Sequence, residues 1–212
     1  MTSKQTLCYT TILPSDIIDI IERDLANQYD SSVNSSTVGY NNTGVVDKNV
    51  RNSQNSWIPT QHWVNGFIMH YVNIANKTNF LYDLTGIDAE TVQYTVYNEG
   101  CYYNWHTDQD YESFYKPLAK HNKERPEVLT HDFLQKNTEV IRKLSFSLLL
   151  SDPDEYEGGN LQMMNGLKKS YIIPRQKGVL AVFDSRTPHR VQKVTKGTRK
   201  SIVGWCVGPR WK

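Results

Sequence analysis

Apolar residues recur at helical spacing in the first part of the chain and at alternate positions in the later part. In LPSDIIDIIERDLANQ (13–28), Ile17, Ile20, Ile21 and Leu25 share a face, with Pro14 and Ser15 near the start. This predicts an amphipathic helix. TQHWVNGFIMHYVNIANKTN (60–79) spaces Trp63, Phe67, Tyr71 and Ile74 as a second one, on which His62 and His70 read as surface or core histidines. Residues 30–56 between them are rich in Asn, Ser, Thr and Gly and show no periodicity. After residue 90 the period falls to two. TVQYTVY sets Val92, Tyr94 and Val96 against Gln93, Thr95 and Tyr97, and KLSFSLLLS (143–151) sets Leu144, Phe146, Leu148 and Leu150 against Ser145, Ser147 and Leu149. GGNLQMM and LKKSYII flank Asn165-Gly166, a strong hairpin signal. GVLAVF (178–183), HRVQKV (189–194) and RKSIVGWCV (199–207) follow, the last two joined as a hairpin by the turn-like residues 195–198.

Helices followed by antiparallel strands predict a mainly β fold with N-terminal helices, a double-stranded β-helix (jelly-roll) barrel. The 212 residues fit a single domain. Its helical support would span about 13–80 and its jelly-roll core about 90–209. A hydrophobic content of 38% leaves much of the chain for polar loops, chiefly residues 30–58 and 109–140. Net charge is +2, and Lys and Arg never cluster beyond a dipeptide, so there is no strong nucleic-acid signal. No apolar run reaches the length of a signal peptide or membrane span, and the three cysteines form no CxxC pair. Together these features predict a cytoplasmic protein that does not enter a membrane.

Candidate chemistry begins at YNEGCYYNWHTDQD (97–110). On an extended strand residues i and i+2 point the same way, so His106 and Asp108 can face one point. His189, at the start of a later strand, offers a third ligand. Two His and one carboxylate with open positions form the arrangement of non-haem Fe(II) oxygenases, whereas a closed structural zinc site typically uses thiolates. Such an iron draws electrons from 2-oxoglutarate, whose distal carboxylate needs a fixed cation. Arg199 supplies one on the far arm of the expected hairpin, roughly 16 Å from the level of His189 at ~3.3 Å per residue. Ser201 repeats its side of the strand.

Tyr97-x-x-Gly100-x-x-Tyr103-x-x-His106-x-Asp108, RKLSFSLLLSDPDEYEGGNLQ and GVLAVFDSRTPHRVQKVTKGTRKSIVGW resemble, in order, the prolyl 4-hydroxylase branch of the Fe(II)/2-oxoglutarate dioxygenases. RNS at 51–53, followed by Trp57, resembles N-terminal parts of its bacterial and phage members. The resemblance implies His106, Asp108 and His189 as iron ligands and catalytic centre, and Arg199 as the partner of the distal carboxylate. Tyr97 would contact the cosubstrate, and Ser145 would be a small hydroxyl residue near the distal carboxylate. Tyr103 would face cosubstrate or substrate, with Arg51, Trp57 and Tyr111 as further substrate candidates. Trp205 reads as a core aromatic that packs beside the site.

The implied cofactors are Fe(II), 2-oxoglutarate and O2, with ascorbate as an auxiliary reductant. The implied reaction is hydroxylation of a peptidyl residue such as proline, with release of succinate and CO2. Two other classes stay open: oxidative demethylation of nucleic acid by the same chemistry, and a non-catalytic jelly-roll module that binds a metal or ligand. Segments 30–58 and 109–140 are expected to form a lid over the iron mouth.

Overall fold

A computed structural model describes residues 7–29, 34–35, 50–88, 92–110, 139–167 and 169–211. In chain order the elements begin with β1 (Cys8–Ile12), α1 (Ser15–Tyr29), β2 (Asn34–Ser35), β3 (Arg51–Asn52), β4 (Gln54–Trp57) and α2 (Trp63–Ala75). There follow β5 (Gly86–Ile87), β6 (Gln93–Tyr97), β7 (Tyr102–His106), β8 (Val140–Leu149), β9 (Tyr156–Gly158) and β10 (Leu161–Met164). The last are β11 (Ser170–Ile172), β12 (Val179–Asp184), β13 (His189–Val191), β14 (Val194–Gly197) and β15 (Arg199–Pro209). The large sheet runs β1-β12-β8-β15-β6-β4-β2 with β5 on β15, the small one β11-β10-β13-β7-β3, and β14 pairs with β9 as a ribbon.

Both expected helices form, but each buries a stripe displaced from the expected one. On α1 the buried residues are Ile18, Ile21 and Leu25, while Ile20 is exposed. On α2 they are Val64, Ile68, Val72 and Ala75. Aliphatic side chains at this spacing lie closer to a sheet than large rings can. The expected aromatics form an edge-to-face ladder, Trp63–Phe67–Tyr71, in which Phe67 and Tyr71 pack against the edge of the core while Trp63 is exposed. Trp63 is tied to α1 by its indole N–H, which donates to Asp24 Oδ2 at 2.8 Å. His62 caps α2 by accepting from the Val64 amide, so it is a structural residue.

The strand pattern of β8 explains how the layers stack. Leu144, Phe146, Leu148 and Leu150 enter one core with the helix stripes, and Leu149 enters a second with Leu161, Met163 and Val191 of the small sheet region. The large sheet is therefore covered by helices on one face and by the small sheet on the other. Each fully buried leucine contributes about 2 kcal/mol of apolar transfer. Among the described residues no ladder joins the two sheets, so the expected jelly roll is an open pair of facing sheets and not a closed barrel.

Two turns differ from expectation. The hairpin about Asn165-Gly166 exists as β10 and β11, but Met164 pairs with Ser170, which makes the loop five residues rather than two. Asn165 Oδ1 accepts from the Leu167 and Lys169 amides and shapes that longer turn. The expected hairpin between 189–194 and 199–207 does not form. β13 pairs with β7 and β10, β14 with β9, and β15 with β6 and β8. The turn signal is real, since Gly197 has φ +73° and a Cβ there would lie 2.1 Å from the Glu155 carbonyl oxygen. The turn leads the chain from the β9–β14 ribbon into the large sheet.

Candidate metal centre

His106 ends β7 and His189 begins β13, and the ladder between these strands pairs the two residues directly. Beyond β7 the chain stays extended, and the amides of Asp108 and Gln109 both donate to the Ser185 carbonyl, at 2.9 and 3.0 Å. That anchor brings the Asp108 carboxylate under both rings. Asp108 Oδ1 lies 3.7 Å from His106 Nε2 and Oδ2 lies 3.4 Å from His189 Nε2. Among the described residues this is the one group of three metal-ligating side chains, its ligand atoms all within 4.8 Å of one another.

Each imidazole is oriented by its other nitrogen. His106 Nδ1 lies 2.7 Å from the Asn104 carbonyl oxygen and His189 Nδ1 lies 2.9 Å from that of Thr187. A carbonyl accepts only, so Nδ1 carries the proton and Nε2 presents a lone pair to the cluster. Burial and the positive potential of His189 lower the His106 pKa to about 3, so this ring is a neutral donor near pH 7. Burial opposes ionisation of Asp108, but His189, His106, Arg142 and a hydrogen bond from Ser145 outweigh it and hold the carboxyl below its usual range. Ser145 Oγ sits 2.7 Å from Asp108 Oδ2 and 2.9 Å from Ser185 Oγ, which makes a short hydroxyl chain ending on the carboxylate. Two imidazole nitrogens and one carboxylate oxygen on one side of a point suit a divalent iron and leave the opposite side open.

That open side is a cavity of about 180 Å³ between the two sheets. Arg199, Ser201, Val203 and Trp205, alternate residues of β15, line one wall. β15 runs about 20 Å from Arg199 to Trp205 at ~3.3 Å per residue. Trp205 pairs with Ser145, beside Asp108, so Arg199 lies at the other end. Its guanidinium is buried, donates to Ser201 Oγ at 2.9 Å and has no carboxylate partner among the described residues. Tyr97 is its neighbour across the ladder, with the guanidinium 5.5 Å from the ring centroid.

Among the other sequence-derived candidates, Tyr103 stacks on His106 with ring centroids 3.5 Å apart. Arg51 lies over Tyr103, Trp57 stands half exposed at the rim, and all three line the cavity. Trp205 also lines it, and Arg142 is stacked over its ring. Ser145, expected near the distal carboxylate, stands at the Asp108 end of the cavity, away from Arg199. The pleat points it at Asp108, and Ser147, one repeat further along β8, faces the cavity instead. Tyr111 and most of segments 30–58 and 109–140 lie outside the described residues, and so does the lid expected of them. Ser147, Gln93 and Arg142 also line the cavity and were not singled out. Only Ser147 had a sequence signal, its two-residue spacing from Ser145.

The 2OG-Fe(II) oxygenase superfamily model matches residues 92–207, a span that contains His106, Asp108, His189 and Arg199. The chain belongs to the 2OG-Fe(II) oxygenase superfamily. A PKHD-type hydroxylase of Prochlorococcus marinus is 45% identical over 62 residues, which cover 29% of this oxygenase and 28% of that relative. The match thus spans less than a third of the relative's length. A crystal structure of a Pseudomonas putida prolyl-4-hydroxylase superposes with a TM-score of 0.66 at 17% identity, covering 97% of this chain and 94% of that one. A prolyl hydroxylase in complex with a hypoxia inducible factor oxygen degradation domain peptide fragment from Trichoplax adhaerens gives 0.67 at 17% identity, covering 94% and 83%. These two likenesses show a shared fold. Among the described residues no helix is long and apolar enough to cross a membrane.

Proposed function

We propose that this oxygenase, acting as one domain over residues 1–212, is an Fe(II)- and 2-oxoglutarate-dependent hydroxylase of a peptidyl residue such as proline. The observation that carries this reading is the pairing of two half-sites in one cavity: a His/His/Asp cluster at one end, and at the other a buried guanidinium with no carboxylate partner among the described residues. A binding module needs neither half to be matched to the other. The peptide part of the reading is supported by the superposed prolyl hydroxylase that holds a peptide. The three free cysteines suit a reducing, cytoplasmic setting.

Iron, held by His106, Asp108 and His189, would with 2-oxoglutarate and O2 supply the oxidant, one oxygen atom entering succinate and the other the substrate, with CO2 released and ascorbate restoring the metal. The remaining work falls to the chain. Asp108 stays ionised because His189, His106 and Arg142 favour its charge and Ser145 donates to it, and both imidazoles stay fixed by backbone carbonyls. Arg199 meets the distal carboxylate with a planar fork that Ser201 already holds in place, so little side-chain freedom is lost on binding. The Ser201 hydroxyl accepts from Arg199 and keeps its own proton to donate. Phe146, Phe183, Leu161 and Val191 line the cavity with apolar surface and keep water from it. Burial raises the Tyr103 phenol pKa, with Arg51 opposing, so that hydroxyl stays protonated beside His106.

The test is turnover with Fe(II), 2-oxoglutarate, ascorbate and a panel of proline-containing peptides. Succinate release coupled to a gain of one oxygen in a peptide is the expected result. Absence of succinate under all conditions, with metal bound, would overturn the reading.

A further inference from the structure

Arg51 is a second buried guanidinium in the same cavity, 6% exposed. Its Nε donates to Ser53 Oγ at 2.8 Å, its Nη2 donates to Gln93 Oε1 at 3.0 Å, and its carbon lies 4.8 Å from the Tyr103 ring centroid. Every one of these partners is neutral. Among the described residues no carboxylate pairs with it, and Nη1 makes no hydrogen bond. A guanidinium stays cationic, and an unpaired buried ion carries a desolvation cost of several kcal/mol. Burial of this kind is retained where a ligand brings the opposite charge.

The other charges in the cavity already have partners. Arg142 lies 3.5 Å from Asp88, and on the hydroxylase reading Fe(II), Asp108, the 2-oxoglutarate dianion and Arg199 balance one another. Among the described residues Arg51 is the cation left over. It lies at the metal end, because the Tyr103 ring that it covers is the one stacked on His106. It is also next to the entrance, since its partner Gln93 pairs across the ladder with Trp57, whose exposed ring lines the rim.

We propose that Arg51 is a carboxylate receptor: the peptide substrate presents an acidic group to its guanidinium, beside the oxidised residue and apart from the cosubstrate's anchor at Arg199. This rests on the hydroxylase reading and deepens it. The acid is either an Asp or Glu side chain near the target residue or a C-terminal carboxylate. Both place two oxygens in a plane that a guanidinium fork matches.

The test is calorimetric binding of acetylated Ala/Gly hexapeptides with one Pro to the 212-residue chain, loaded with Zn(II) and 2-oxoglutarate without oxygen. One arm walks Asp against Asn through the flanks, and the other compares C-terminal acid with amide. At one position the acid should bind at least about tenfold tighter than its neutral twin, and the arm that shows it identifies the source of the carboxylate. Arg51→Gln should erase that preference. So should Gln93→Glu, which leaves the arginine in place but gives it an internal partner, and this variant decides the matter if Arg51→Gln fails to fold. Equal binding of acid and amide, no binding at all, or a preference that survives either variant overturns the proposal. So does a loss of 2-oxoglutarate affinity in Arg51→Gln, which would assign Arg51 to the cosubstrate. Failure of succinate production with the acid preference intact would strike the hydroxylase reading alone.

Discussion

Replacing Ser145 with Ala removes one hydroxyl and leaves all three proposed metal ligands in the chain. The lost contact is a 2.7 Å hydrogen bond to a buried carboxylate, and hydrogen bonds to charged groups contribute about 1.5–3 kcal/mol. At ~1.4 kcal/mol per decade this is about a 10- to 100-fold loss in affinity for Fe(II), or for Mn(II) as an air-stable substitute. The hydrogen bond helps to hold the Asp108 pKa low. A depressed carboxyl pKa favours the ionised, metal-binding form above the ordinary carboxyl range, and that advantage is lost as pH falls through the folded pKa. In Ser145→Ala the folded pKa rises, so metal affinity should begin to fall at a higher pH than in the wild type. A Mn(II) titration followed by electron paramagnetic resonance between about pH 4 and 8 reads both effects. Wild-type affinity with an unmoved pH profile would refute the view that Ser145 orients and ionises Asp108.

His106→Ala or His189→Ala should abolish succinate production while circular dichroism and cooperative melting persist; full activity in either would remove that residue from the metal set. Arg199→Ala should raise the 2-oxoglutarate requirement by about 10-fold or more as a charge-assisted fork is lost, and an unchanged titration would reassign the anchor. In the metal-free protein, stability should fall as pH drops from about 6.5 toward 3, in part because the unfolded chain takes up a proton that folded His106 refuses; a shallower slope in a urea-denaturation series of His106→Ala than in the wild type checks it, and equal slopes would refute it. Gly197→Ala should lower the melting temperature through a loss of about 1–3 kcal/mol, since it combines positive φ with a backbone clash.

Spacing along the chain was enough for the parts of the site that are local. His106 and Asp108 share a side because a strand has period two, and β8 shows both of its faces in one run of residues. What sequence could not give was pairing between strands distant in the chain. The turn at Gly197 was visible, yet the partner of β14 is β9 and not a neighbouring arm, because that choice depends on which strand edges meet in space. The same limit hid Ser185 and Arg142, which enter through loop carbonyls and long-range stacking, and it hid that Ser145 faces Asp108 at the opposite end of the cavity from Arg199. The α2 error was of another kind. An apolar helix offers several stripes, and the aliphatic one buries because it fits the sheet closely.

The proposed metal ligands are divided between the layers. His106 and His189 stand on the small sheet, whereas the Asp108 carboxylate is tethered through Ser145 and Ser185 to β8 and to the end of β12 in the large one. An ion bound by all three would act as a rivet through the sandwich. Its binding energy would then appear as resistance to prising the layers apart, about 2.7 kcal/mol at a hundredfold excess over the dissociation constant. Amide hydrogens of β7 and β13 would exchange more slowly in the loaded protein, and an enzyme starved of iron would loosen first at the mouth through which its substrate enters.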